Sequence, residues 1–339
     1  MTTTRVYQST DPGAPVLTGQ AGTLVALLHA CLVGTAGVAY GSGPTQKYSA
    51  GWSEPFSNTA TKGVFRNSLG AGGTGCYVRV RDDGTNTGGA KEALQIVYSA
   101  MSDIDTGIDA TPTTAQMANG AVIRKSLASD ATARPWILIA DELTYYLATS
   151  IDVASSAWSW TICGAGDFAS EIAGDAYRFC NIGWTIENAA AGNYGSGTFQ
   201  QQTFHNGYNY SPSGLWLARN YNVLAGAISI PLTLRYPAPT PYLCVGGAVS
   251  QYGVFSPGSA KRYFEPAMLV EPGAFRGYLR GMFIPWNNFS ALPQGGTVSG
   301  AQGVSAGSVL LKCNVNAYVG DSRDPRYTGA VFFESVLNW

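Results

Sequence analysis

Residues 18–35, TGQAGTLVALLHACLVGT, are the one stretch of this chain that reads cleanly as an amphipathic helix. Leu24, Leu27, Leu28, Cys31 and Leu32 recur at spacings of three and four, and Gly34 and Gly37 supply the expected stop. Elsewhere apolar residues come in short runs bounded by Gly, Pro, Asn and Asp. A chain of 339 residues with a single helical segment must bury its core in sheets. The composition agrees. Charged residues make up 12%, about half the usual share, whereas Gly reaches 42 and hydrophobic residues 45%. With 19 Tyr and 8 Trp the chain is too aromatic to be disordered. The predicted class is mainly β: antiparallel, sandwich-like sheets with long Gly-rich loops and one N-terminal amphipathic helix.

Strands are predicted around Val6 and Tyr7, over residues 64–67 and over 76–80, the last alternating cleanly. Residues 94–101 follow the helix-favouring run Ala90, Lys91, Glu92 and Ala93, yet Leu94, Ile96 and Tyr98 alternate, so a strand is expected. The clearest hairpin joins residues 136–140 and 143–149 through Asp141 and Glu142. Residues 158–163 and 177–186 follow as strands, with Gly164, Ala165, Gly166 and Asp167 expected to open the connection between them. Trp52 and Phe56 are expected to pack a loop down as an aromatic pair. Further strands are predicted over 215–218, 227–236, 244–249, 267–270, 308–314 and 330–336, and residues 276–285 precede a loop. Pro231 and the prolines after it point to an edge or a crossover.

Three stretches organise the chain: residues 1–187 as helix plus β framework, 188–244 as a variable loop-rich insertion, and 245–339 as a C-terminal β region packing on the first. One composite domain is the alternative. A net charge of −1 without a basic stripe argues against nucleic acid as a partner. A weakly charged surface offers little repulsion against association, which suggests coverage by neighbouring subunits. No run of apolar residues is long enough for a membrane span. Cys31, Cys76, Cys163, Cys180, Cys244 and Cys313 are too widely spaced for a CxxC site, and the start of the chain has no signal-peptide pattern. They are read as buried small hydrophobes in a protein made in the cytoplasm.

Candidate chemistry is sparse, and no cofactor or metal is expected. Gly70, Gly72 and Gly75 fit GxGxxG, but the motif leads into a strand where a dinucleotide site needs a helix. Asp103, Asp105 and Asp109 lack the remaining ligands of a calcium loop and read as a solvated turn. His29 and His205 sit in no catalytic context, and His29 lies off the helix stripe. Asp167, Glu171 and Asp175 form a local acidic cluster that reads as turn and cap residues. The aromatics Tyr194, Phe199, Phe204, Tyr208, Tyr210 and Trp216, on or beside a polar stretch, are the candidate partner-contact residues.

Several segments are similar to a family of tailed-bacteriophage and prophage virion structural proteins. They include Gln8 through Asp11, Gly13 through Gly19, and the helix as far as Leu32. Ala50, Gly51 and Trp52 with Pro55 and Phe56 also match, as do Met101 through Asp103 with Asp105 through Gly107. So do Arg124 through Ser126, the ATARP run ending at Pro135, and the hairpin from Trp136 to Leu147. Gly166 through Phe168, Gly174 through Arg178, Gly296 through Gly300, Phe332 through Ser335 and Trp339 complete the likeness.

The resemblance implies a non-enzymatic virion subunit located in the particle, most simply in the tail, baseplate or collar. Its implied partners are copies of itself and other virion proteins. A capsid decoration protein is one alternative. A receptor- or glycan-binding virion module, using the aromatic stretch on a host-surface glycan, is another. A polysaccharide-degrading enzyme with paired carboxylates is a third reading, although no pair is identifiable in the sequence.

Overall fold

The computed structural model describes residues 2–86, 88–153, 160–183, 214–220, 230–232, 262, 264–271, 274–285, 289, 292–315 and 329–339. It is mainly β, with antiparallel sheets stacked in layers. The middle layer has seven strands, in the order Arg5–Gln8, Trp136–Ala140, Thr144–Ser150, Trp160–Asp167, Phe179–Ile182, Leu215–Leu217 and Ile230–Leu232. One outer layer has four strands: Lys62–Arg66, Tyr77–Arg81, Glu92–Tyr98 and Ala121–Arg124. The other outer layer has six, built around the long antiparallel pair Phe264–Glu271 and Ala274–Pro285 with Val309–Val315 and Gly329–Glu334.

Side-chain alternation explains the stacking. In the strand Trp136–Ala140, Trp136, Leu138 and Ala140 join one apolar cluster, whereas Ile137 and Ile139 join another. The first cluster also contains Val78, Val80 and Val97 of the four-stranded sheet, together with the helix. The second contains Leu269, Met282, Leu311 and Phe333 of the six-stranded sheet. The middle sheet is therefore apolar on both faces, so its strands read as continuous hydrophobic runs. Tyr77–Arg81 instead alternates buried and half-buried residues, as an outer layer requires. Each fully buried Leu, Ile or Phe in these clusters contributes roughly 1.5–3 kcal/mol.

The helix is shorter than the stretch 18–35 expected for it. It runs over Thr23–Leu28 and continues as a π-helical turn over His29–Val33. Upstream extension is blocked at Gly22, which has a φ of 82° in the left-handed region. Residues 18–22 fold instead as turns, with the Thr23 hydroxyl donating to the Thr18 carbonyl at 3.1 Å. Leu24, Leu27, Leu28, Cys31 and Leu32 are all fully buried, so the stripe does face the core.

Most predicted strands are present, with two local corrections. Residues 164–167 do not open a connection; they continue the strand Trp160–Asp167. Gly164 and Gly166 serve there because an added Cβ would lie 2.5 Å from the Tyr145 carbonyl and 2.2 Å from the Leu143 carbonyl, respectively. Trp52 and Phe56 do not pair with each other. Trp52 packs edge-on against Tyr145 at 5.8 Å, and Phe56 stacks on Tyr77 at 6.2 Å, so each pins its loop to a different sheet. Residues 94–98 belong to a strand, Glu92–Tyr98, despite their helix-favouring start. Pro231 sits in the strand at the edge of the middle sheet, where its missing N–H is tolerated. The strand predicted over 244–249 lies outside the described residues.

Polar side chains tie the layers together. Between the four-stranded and middle sheets, Gln95 Nε2 donates to the Gly164 carbonyl at 2.9 Å and to Asn181 Oδ1 at 2.7 Å. Asn181 Nδ2 donates to the carbonyls of Gln95 and Thr111, and the Tyr145 hydroxyl donates to Gln95 Oε1. All three side chains are fully buried, and the network satisfies the groups that burial strips of water.

Candidate functional site

Two members of the predicted acidic cluster form the best-organised polar region among the described residues, and they do more than terminate turns. Asp167 ends a strand of the middle sheet and is 1% exposed. Its Oδ1 accepts from Asn67 Nδ2 at 2.8 Å and from the Thr74 hydroxyl at 2.6 Å, while Oδ2 accepts the Thr74 backbone N–H at 2.8 Å. Burial raises its carboxyl above the usual range against the pull of those donors. The contacts pin the glycine-rich stretch Gly70 to Gly75 onto the middle sheet. That stretch connects Lys62–Arg66 to Tyr77–Arg81 and precedes a strand, so it has no helix N-terminus with which to cradle phosphate.

Asp175 is buried eight residues on. Its Oδ2 takes Arg276 Nε at 3.1 Å, Arg276 Nη2 at 2.8 Å and the Ser170 hydroxyl at 2.8 Å, and its Oδ1 accepts the Tyr177 N–H at 3.0 Å. Arg276 reaches on to the Arg219 carbonyl at 3.0 Å. The pair thus welds the six-stranded sheet to the loop beside the middle sheet. Glu171, the third member of the cluster, is exposed.

Beside these groups lies an open cleft of about 370 Å³. Gly72, Asp167, Ser170 and Ile172 line it together with two guanidinium groups, Arg178 and Arg280. Thr2, Phe168 and Trp339 also border it. Arg178 Nη2 donates to the Gly72 carbonyl at 2.5 Å, and its Nε lies 3.7 Å from Asp167 Oδ2. Arg280 Nη2 meets Asp141 Oδ2 at 2.7 Å, the Thr2 hydroxyl at 3.1 Å and the Trp339 carbonyl at 2.8 Å. Neither arginine stands in a binding motif of the sequence. The neighbouring glycines were visible, but the gathering of residues 2, 72, 167, 178, 280 and 339 is a product of the topology.

The other candidates disperse. Asp103 accepts the N–H groups of Asp105 and Thr106 at 2.8 Å each, and these hydrogen bonds lower its pKa. Asp105 pairs with Lys62 at 2.7 Å and Asp109 with Arg219 at 3.1 Å, so the three carboxylates face separate partners. Among the described residues no cluster of His, Cys, Asp and Glu has metal-binding geometry. His29 Nδ1 sits 2.8 Å from Glu54 Oε1 on a partly exposed helix face. Five cysteines are buried as free thiols, with burial driving the Cys163 thiol up to about 12; Cys244 and His205 lie outside the described residues.

Of the partner-contact candidates, Tyr194, Phe199, Phe204, Tyr208 and Tyr210 lie outside the described residues. Trp216 is in the strand Leu215–Leu217 at 1% exposure, facing the protein interior. No helix among the described residues is long and apolar enough to cross a membrane. No protein-family model and no curated protein matches the chain.

Proposed function

We propose that the chain is a non-enzymatic structural subunit of a tailed-phage virion, assembling with copies of itself and with other virion proteins in the tail, baseplate or collar. The observation that carries this reading is the use of the carboxylates in and behind the cleft. Asp167 and Asp141 have oxygens engaged by backbone, side-chain or guanidinium donors, and Asp175 beside them is bound in the same way. Groups held so firmly act as ties between layers; a general acid or base must instead reach a substrate proton. The resemblance over residues 5–187 and at the C-terminus adds support from the sequence.

The experiment is mass spectrometry and labelled-antibody microscopy of purified particles, with light scattering of the isolated chain. Stoichiometric presence at one station and a multimer in solution are expected. A stable monomer missing from particles would overturn the assignment. A receptor- or glycan-binding module on the same particle is the second reading, favoured by the cleft with its two guanidinium groups.

A further inference from the structure

We infer that the cleft between Arg178 and Arg280 is a binding site for a small ligand that carries a carboxylate, with sugar acids such as glucuronate as the matching class. Its volume of about 370 Å³ lies at the lower end of small-molecule pockets, which span roughly 300–1,000 Å³. Arg178 provides the reason for a negative ligand. Arg276 and Arg280 each hold a carboxylate at hydrogen-bond distance, 2.8 and 2.7 Å. Arg178 holds none that closely: Asp167 lies 3.7 Å from its Nε, and both Asp167 oxygens already accept shorter hydrogen bonds.

The Arg178 guanidinium is fixed instead by carbonyls, Gly72 at 2.5 Å and Asp175 at 3.5 Å. Those two contacts leave further N–H donors of its planar fork without an acceptor among the described residues, on a side chain that is 33% exposed. Arg280 contributes a second positive charge on the cleft wall, its Nη2 held in place by Asp141, Thr2 and the Trp339 carbonyl. Planar forks match carboxylates through two parallel bonds. Asp167 and Asp141 on the two arginines disfavour a phosphate dianion more than a monoanion. Ile172 and Phe168 offer apolar wall, as the face of a sugar ring requires. The inference holds whatever assembly the chain belongs to.

Calorimetry on the full chain at constant ionic strength tests it, with glucuronate, glucose and inorganic phosphate as probes. Saturable glucuronate binding with a Kd of about 1 mM or tighter is expected, at least about tenfold tighter than either other probe. Arg178→Gln should weaken it about tenfold or more, the loss of a charged bidentate contact. Ile172→Trp, which fills the cleft with both arginines intact, should abolish it. Thermal melts establish that each variant is folded, and if Arg178→Gln is not, the filled-cleft variant decides alone. Equal binding of glucose, tighter binding of phosphate, no saturable binding, or binding retained in a folded variant would each overturn the site.

Discussion

The carboxylate of Asp82 accepts the backbone N–H of Leu24 at 2.9 Å and so caps a helix that lies 58 residues earlier in the chain. The helix has no cap of its own, because Gly22 carries no side chain to supply one. Asp82 also meets Lys125, and both side chains are fully buried. Lys125 Nζ in turn donates to the Gln20 carbonyl and the Thr23 hydroxyl. One ion pair thus joins the turn before the helix, the four-stranded sheet and the segment after Arg124.

Burial pushes the Asp82 carboxyl from 3.8 up to about 6, with Lys125 and the backbone N–H groups opposing the shift. A folded pKa above the unfolded one means that the native state binds the proton more tightly. The resulting stabilisation is complete below pH 3.8 and is lost as pH rises through about 6. Against Asp82→Asn, which removes the titration, the wild type should therefore lose relative stability from about pH 4 to about pH 6 and stay level above. Denaturant melts across that range measure it, and a flat difference would contradict the shift. Asp82→Ala should cost about 1–3 kcal/mol more than Asp82→Asn at every pH, because the Leu24 N–H is left buried without an acceptor.

Gln95 and Asn181 should behave as one unit. Replacing either by Leu strands partners in the other sheet and should cost about 1–3 kcal/mol. The double replacement should cost less than the sum of the two, by about 0.5–3 kcal/mol. A double-mutant cycle by urea unfolding reads the coupling directly, and strict additivity would mean that the amides act separately.

Leu28 lies on the helix stripe and is fully buried. Leu28→Ala should destabilise by about 2–5 kcal/mol through a cavity. Leu28→Asp should prevent folding, seen as loss of the cooperative thermal transition. Soluble, cooperatively melting Leu28→Asp protein would show the helix to be dispensable.

Gly277 has a φ of 142°, and an added Cβ would stand 1.9 Å from the Ala169 carbonyl. Gly277→Ala should therefore cost at least about 1–3 kcal/mol in backbone strain. It should also disturb Ala169 and Ser170, which line the cleft. Comparing the melting temperature and glucuronate binding of this variant with the wild type tests both effects.

Local patterning made much of the fold legible. Alternation over residues 76–80 revealed an outer-layer strand, and the unbroken run in Trp136–Ala140 belongs to a strand covered on both faces. The helix start was misplaced because an apolar stripe says nothing about the left-handed backbone at Gly22. The strand continuing to Asp167 was missed because Gly164 and Gly166 signal a loop until close backbone approach explains them. The cleft was the least legible part. Spacing marked Asp167 and Asp175 only as turn residues, and their partners Thr74, Asn67 and Arg276 are brought to them by long-range sheet pairing.

The pairing of Arg5–Gln8 with Trp136–Ala140 also sets an order of events during synthesis. The Ser9 hydroxyl accepts the Trp136 N–H across 127 residues, so the first strand has no place to dock until the hairpin partner has left the ribosome. Until then the helix stripe and the inward face of the four-stranded sheet lack the layer that covers them. The nascent chain carries an uncovered apolar face in that interval, and the other face of the middle sheet waits longer still, for the six-stranded sheet that ends at Glu334.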